Sequence, residues 1–194
     1  PWEVTTSYGG GTFMGPEAIL NASTQVDLYD SQMPDAWKSG ISLLPIPKKL
    51  IQKNNLLKKK AGECVKNLAN GGLESDPKFQ KTYEEINSES EKMNEWVKHE
   101  ALNWLDKNKQ VAVLGGDHSV PLGLIQALAE KHEKFSVLHF DAHLDLRDTY
   151  EGFEFSHASI MRNVLKIKNV DRLVQVAIRD YSHGEMELVN NSNG

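Results

Sequence analysis

Two short runs gather side chains that bind cations and move protons. One is Gly115-Gly116-Asp117-His118-Ser119; the other, beginning 23 residues after His118, is Asp141-Ala142-His143-Leu144-Asp145. In an extended backbone alternate side chains project to the same side, so Asp141, His143 and Asp145 would turn two carboxylates and an imidazole toward one point. Carboxylate oxygens beside imidazole nitrogens suit a borderline-hard divalent ion, Mn²⁺ first, with Zn²⁺, Fe²⁺ or Co²⁺ as alternatives. Packed together without a cation, such groups would carry desolvation and like-charge costs, so water or a metal has to sit among them. Taken singly, Asp141 and Asp145 read as a solvated acidic loop and His118 as a capping or core histidine. The combination of both runs at strand ends points to a metal site, formed by His118, Asp141, His143 and Asp145. His139 shares the parity of Asp141 but lies inside the strand, and reads as a buried, hydrogen-bonded histidine.

Those runs need elements to carry them. Val111–Leu114 and Phe135–Phe140 are short apolar runs that fit buried strands, with a helical pattern from about Val120 to His132 between them. A helix from about Ser156 to Lys166 and a strand over Arg172–Ile178 continue the alternation, which predicts an α/β fold with helices on both faces of a mostly parallel sheet. Ligands in such folds sit beyond the carboxyl ends of the strands, where both runs fall. Upstream, Tyr8–Pro16 is a glycine-rich loop feeding a helix through Ile19 and Leu20. Prolines 34, 45 and 47 make residues 31–54 mostly irregular. Leu56–Leu68 predicts a helix with Lys58, Lys59 and Lys60 on a solvated face; Gly71-Gly72 ends it and Pro77 opens the next. Met93, Val97, Ala101, Trp104 and Leu105 recur at helical spacing, so that next helix buries one stripe.

The chain has 194 residues, 39% hydrophobic and 25% charged, the composition of an ordinary globular domain. Its net charge of −5 lacks the basic footprint of a nucleic-acid binder. No apolar run approaches the roughly 20 residues of a membrane-spanning helix, so neither nucleic acid nor membrane is an expected partner. Cys64 is the one cysteine, which excludes an intrachain disulfide and reads as a reducing, cytoplasmic compartment. The start at Pro1 and the polar run from Asn190 to Gly194 read as cut ends. Gly115-Gly116 precedes a helix, but the G-x-G-x-x-G spacing of a dinucleotide fingerprint is not met.

The two motifs resemble those of the ureohydrolase family, the arginases and agmatinases, and the similarity runs along nearly the whole chain. The resemblance implies a three-layer α/β/α sandwich and two Mn²⁺ ions held by His118, Asp141, His143 and Asp145, with Asp141 touching both. It implies hydrolysis of a guanidino group to urea and an amine. Guanidinium is a poor electrophile and water a poor nucleophile; two cations that lower the pKa of a shared water would supply hydroxide near neutral pH. Asp145 and His157 are then the catalytic residues, His157 handing a proton to the departing amine. Tyr150, Glu151 and Gly152 resemble the substrate-binding segment of agmatinases, and the stretch through Gly15-Pro16 resembles the substrate-side opening. Arginases carry an acid two places after the aspartate that matches Asp180, to hold an α-amino group; here that place is Ser182, which favours agmatine and its conversion to putrescine. Arginase or another guanidino or formimino hydrolase is the alternative, as is a non-catalytic metal-binding relative. The family's later Asp-x-Asp motif does not occur, so residues 1–194 read as about the amino-terminal two-thirds of a single domain. As a fragment it is expected to be poorly soluble, to bind metal weakly and to hydrolyse no guanidine. The complete protein is expected to be a trimer or hexamer.

Overall fold

A computed structural model describes residues 1–7 and 9–192. Tyr8, in the glycine-rich stretch, and residues 193–194 of the polar run lie outside the described residues. The helices are α1 (Gly15–Ser23), α2 (Lys48–Ala69), α3 (Pro77–Leu105), α4 (Leu122–Lys131), α5 (Ile160–Leu165) and α6 (His183–Asn190); the strands are β1 (Phe135–Phe140) and β2 (Val170–Val176).

Helices α2 and α3 form an antiparallel hairpin, as the ion pairs Lys53–Glu89 and Lys60–Glu85 run in opposite chain directions. Its turn follows local chemistry. Gly71 takes φ 86° after the end of α2, Pro77 opens α3, and the Asp76 side chain accepts from Lys78 N at 2.9 Å. Leu57, Ala61 and Cys64 from α2 meet Phe79, Tyr83, Ile86, Met93 and Val97 from α3, a helical stripe buried together with Trp2, Val4 and Phe153. α2 begins right after Pro47, eight residues earlier than the apolar pattern suggests. Lys58 is also not on a solvated face: it reaches inward to the fully buried Glu3, while Lys60 pairs with Glu85 and Lys59 alone of the three is exposed. A buried carboxylate recruits the nearest cation, and charge spacing along one helix does not reveal it.

α4 crosses α3 at close range because Gly123 has no side chain; a Cβ there would lie 2.3 Å from the carbonyl oxygen of Asn94. β1 and β2 pair in parallel, with His139 opposite Gln175 and Phe140 opposite Val176. One face of the pair, with Val137 and Leu173, is covered by Leu122 and Ile125 of α4 and by Ile160, Met161 and Val164 of α5. The other carries Leu138 and Phe140, 60% and 69% exposed. The α/β class and the parallel sheet are therefore present, with helices over one face among the described residues. The expected strand at Val111–Leu114 is not formed: a strand needs a neighbour for its N–H and C=O groups, and no described segment pairs with it. The helix expected over 156–166 divides into a 3₁₀ turn at His157–Ser159 and α5. No helix among the described residues is long and apolar enough to cross a membrane.

The segment Trp2–Thr5 is buried and threads beside the hairpin. Asp117 N donates to the Trp2 carbonyl at 2.7 Å, and a Cβ on Gly116 would lie 1.9 Å from that oxygen. Gly116→Ala is therefore expected to destabilise the protein by about 1–3 kcal/mol, the cost of overpacking against immovable backbone. Gly62 sits mid-helix, and a Cβ added there would meet nothing within 4 Å beyond its own turn, so Gly62→Ala is expected to stabilise by about 1 kcal/mol. Denaturant titration of both variants checks the opposite signs.

Candidate metal centre

Asp141 follows β1 directly, and its N–H still bonds the carbonyl of Val176 at 3.2 Å, so it stands at the carboxyl end of the parallel pair. The chain then leaves the sheet. Asp145 adopts φ 54°, a left-handed conformation uncommon outside glycine. Its carbonyl accepts from Met161 N (3.0 Å) and Arg162 N (3.2 Å), and Leu144 and Leu146 on either side are buried in the α4–α5 core. Anchored in this way, Asp145 returns its side chain to His118, Nδ1 to Oδ2 2.6 Å. His118 itself rides on the loop clamped to Trp2, where Asp117 accepts from Ser119 N at 2.9 Å.

His118 Nδ1 lies 3.5 Å from Asp141 Oδ2, and His139 Nε2 lies 3.7 Å from the same oxygen. One ligand atom from each of His118, His139, Asp141 and Asp145 falls within 4.8 Å of the others. The second oxygen of Asp141 faces elsewhere: Oδ1 accepts from His143 N at 2.8 Å and lies 3.0 Å from His143 Nδ1. Three of the four expected ligands thus converge. His143, 59% exposed, flanks the far side of Asp141 instead of pointing at the same spot. Strict alternation is not kept here because the backbone bends at Ala142, where Asp141 Oδ1 accepts from His143 N, and turns again at Asp145. His139 is buried and hydrogen-bonded, as read from the strand, but its Nε2 also faces the cluster. Its parity with Asp141 was the signal for that.

The electrostatics follow from these distances. Burial disfavours a charged His118, but the hydrogen bond and charge of Asp145, with Asp141 and Asp117 behind it, outweigh burial and raise the imidazole above its ordinary value. Burial also opposes the Asp141 carboxylate, yet hydrogen bonds from His143 and the nearby His118 bring it below the usual range. Burial pushes His139 down, and the His118 charge adds to this. Asp117 is pushed up by burial, and its Oδ2 has no hydrogen-bond partner among the described residues. Buried and half-buried nitrogen and oxygen ligand atoms, two of the residues being close carboxylates, with Cys64 sequestered in the hairpin core, fit a hard or borderline cation.

His157 stands on the 3₁₀ turn before α5, its ring edge-on to Tyr150 with centroids 5.6 Å apart. Burial lowers its pKa against the opposing pull of Asp117 and Asp145, so it feels the charges of the cluster. The Arg147 guanidinium covers the Tyr150 ring, 4.8 Å from its centroid. Glu151 and Gly152 form a turn at φ 53° and 81°, closed by paired backbone bonds between Tyr150 and Phe153. A Cβ on Gly152 would meet the Tyr83 ring at 2.6 Å, so this glycine seats the turn on α3. Burial raises the Glu151 carboxyl.

A family model described as "Arginase family" matches residues 1–194. The chain belongs to the arginase family. N(1)-aminopropylagmatine ureohydrolase of Synechocystis sp. is 26% identical over 194 residues, all of this chain and 53% of the relative. A protein of the same name from Thermus thermophilus is 40% identical over 189 residues, 97% of this chain and 52% of the relative. The crystal structure of agmatine ureohydrolase of Thermoplasma volcanium superposes with a TM-score of 0.68 at 23% identity, covering 96% of this chain and 50% of that one. The chain spans about half the length of these relatives, and over that part it shares the fold of the solved one.

In this arginase-family chain Ser182 has a defined task. It caps α6, whose start carries a full capping box: Ser182 N and Oγ donate to Glu185 Oε2 at 2.8 and 2.7 Å, and Glu185 N donates back to Ser182 Oγ. α6 itself lay in a stretch with no strong apolar period, and Ser182 followed by Glu185 was its only signal. Glu185 also accepts from Leu146 N at 3.0 Å and faces Arg147, tying α6 to the segment after Asp145. Burial pushes Glu185 up, but the donors of Ser182 and Leu146 and the Arg147 charge outweigh it and hold the carboxyl below its ordinary value. A depressed folded-state pKa contributes stability that is present above the unfolded value and lost as pH falls through the folded one. Glu185→Gln should therefore lower stability near neutrality and flatten its fall on acidification below about pH 4.3, the unperturbed glutamate value, measured by denaturant unfolding at a series of pH values.

Proposed function

We propose that this chain supplies His118, Asp141, His143 and Asp145 to a two-Mn²⁺ centre that hydrolyses a guanidino group to urea and an amine, with agmatine or a related ω-guanidino amine as substrate. The observation that carries the reading is Asp141, whose two oxygens face different imidazole groups: Oδ2 toward His118 and His139, Oδ1 toward His143. A carboxylate set between two nitrogen donors is what one residue serving two ions requires. When bound, the ions would lower the pKa of a shared water enough to supply hydroxide near neutral pH.

The chain's own residues do the rest. Asp145, held 2.6 Å from His118, fixes the imidazole orientation. The guanidino carbon is attacked by the oxygen nucleophile, a tetrahedral species forms, and its C–N bond to the amine breaks as nitrogen takes up a proton. His157 serves as the proton carrier: burial keeps it neutral and ready to accept, and Asp117 and Asp145 stabilise the charge it then acquires. Tyr150, packed on the His157 ring and beneath Arg147, holds that ring in place and borders the substrate with Glu151 and Gly152. Engagement of the Ser182 hydroxyl in the α6 cap supports an amine substrate without an α-amino acid head, since no acid stands there to hold one. The agmatine-type substrates in the names of the relatives agree with that preference.

Tests belong to the complete protein. Asp141→Ala is expected to lose both ions, read by metal analysis. His157→Ala is expected to keep its metal and lose about 10²–10⁴-fold in kcat, the usual contribution of a positioned proton-transfer group. Urea release from agmatine, arginine, guanidinobutyrate and aminopropylagmatine, with formiminoglutamate as the non-guanidine control, ranks the substrates. Unchanged turnover in His157→Ala removes the proton-carrier role, and arginine as the best substrate overturns the amine preference.

A further inference from the structure

His139 is 5% exposed, and its two ring nitrogens have different surroundings. Nδ1 lies 2.9 Å from Nε2 of Gln175, its partner in the β1–β2 register, and the same amide nitrogen lies 2.8 Å from the carbonyl oxygen of Leu144. A carbonyl oxygen can only accept, so the NH₂ end of the amide is what faces Leu144, and its second hydrogen is left for His139. Nδ1 therefore accepts and carries no proton, and a neutral ring must hold its proton on Nε2. That nitrogen has no hydrogen-bond partner among the described residues and lies 3.7 Å from Asp141 Oδ2. A ligating histidine shows the reverse arrangement, donating its far N–H to a carbonyl, carboxylate or water while the near nitrogen offers a lone pair.

We infer that His139 is a positioning residue and not a metal ligand: it offers a fixed Nε2–H to the Asp141 carboxylate or to an oxygen beside it, and Gln175 sets that tautomer. What His139 acts on rests on the metal-centre reading above; the tautomer is a property of the chain alone. An N–H aimed at Oδ2 limits the directions in which Asp141 can turn, while its Oδ1 is held by His143 N.

The test uses the full chain labelled with ¹⁵N-histidine, metal-free and then loaded with Zn²⁺ as a diamagnetic probe. Two-dimensional ¹H–¹⁵N spectra report which ring nitrogen is protonated, and His139→Gln identifies the signals by their loss. The expected result is the Nε2–H tautomer in both states. Gln175→Glu presents only acceptors to Nδ1 and is expected to move the proton there. His139→Gln is expected to retain the wild-type number of bound ions with affinity lowered about 10–100-fold, the usual effect of losing a group that orients a ligand. An Nδ1–H tautomer in the unmodified protein, no tautomer change in Gln175→Glu, or loss of a whole ion in His139→Gln overturns the inference. A wild-type chain that takes up no ion overturns the metal reading instead, and the tautomer in the metal-free protein still decides this one.

Discussion

The close approach of Gly116 to the Trp2 backbone sets the geometry on which the candidate centre depends. The loop that carries His118 has no strand to hold it, because Val111–Leu114 is unpaired among the described residues. Its position comes from the Asp117–Trp2 hydrogen bond of 2.7 Å and from the missing side chain at Gly116. Trp2 is fixed in turn by burial against the α2–α3 hairpin, and its neighbour Glu3 donates its N–H to Asn54 Oδ1 at 2.6 Å. Glu3 is wholly buried and paired with Lys58, and it accepts from Gly11 N, Thr12 Oγ1 and Phe13 N. A buried ion pair contributes little net stability, but leaving either partner alone is costly. One short segment therefore locks the His118 loop and the entry to α1 to the same helical hairpin.

Around Asp141 the competition is between desolvation and pairing. Two carboxylates within reach of one another should repel, and burial opposes the charge of Asp141. The structure answers with imidazoles on each side: Asp145 and Asp141 raise the pKa of His118, and His118 in turn helps to lower that of Asp141. Mutual stabilisation of this kind is what a cation would replace, and ligand histidines must be neutral to offer a lone pair. The raised pKa of His118 is thus a property of the chain without an ion, and a bound cation would compete with a proton for that ring.

Much of this was legible in the residues. Pro77, Gly71 and the apolar stripe read through Met93, Val97 and Ala101 mark the hairpin because capping, backbone freedom and helical period are local effects, although Trp104 and Leu105 at its end are only half-buried. The two motif runs marked the candidate site because imidazole and carboxylate groups at such close spacing suit a cation, although only the second run follows a strand. What escaped has non-local causes. The inward turn of Lys58 depends on a carboxylate 55 residues away, and the failure of Val111–Leu114 to pair depends on what lies beside it. The divergence of His143 goes with a bend at Ala142, whose carbonyl is held by Arg179 N and Asp180 N from beyond the next strand. The role of His139 was half legible: its parity faced it toward Asp141, but the amide of Gln175 that fixes its proton arrives from another strand.

Asp145 shows why strain and function coincide here. A left-handed aspartate costs on the order of 1 kcal/mol or more, and it persists where the surroundings over-determine it. Leu144 and Leu146 are both buried, the Asp145 carbonyl is held by two N–H groups of α5, and Leu146 N is held by Glu185 from α6. The left-handed turn places the Asp145 carboxylate against His118, and the chain leaving it carries Arg147 over Tyr150 and Tyr150 against His157. The α6 cap, the backbone kink and the His157 ring are then consecutive links in one path of contacts. Loosening the cap would be felt at His157 through Arg147 before it was felt at the carboxylates, because Asp145 has its own anchors in α5.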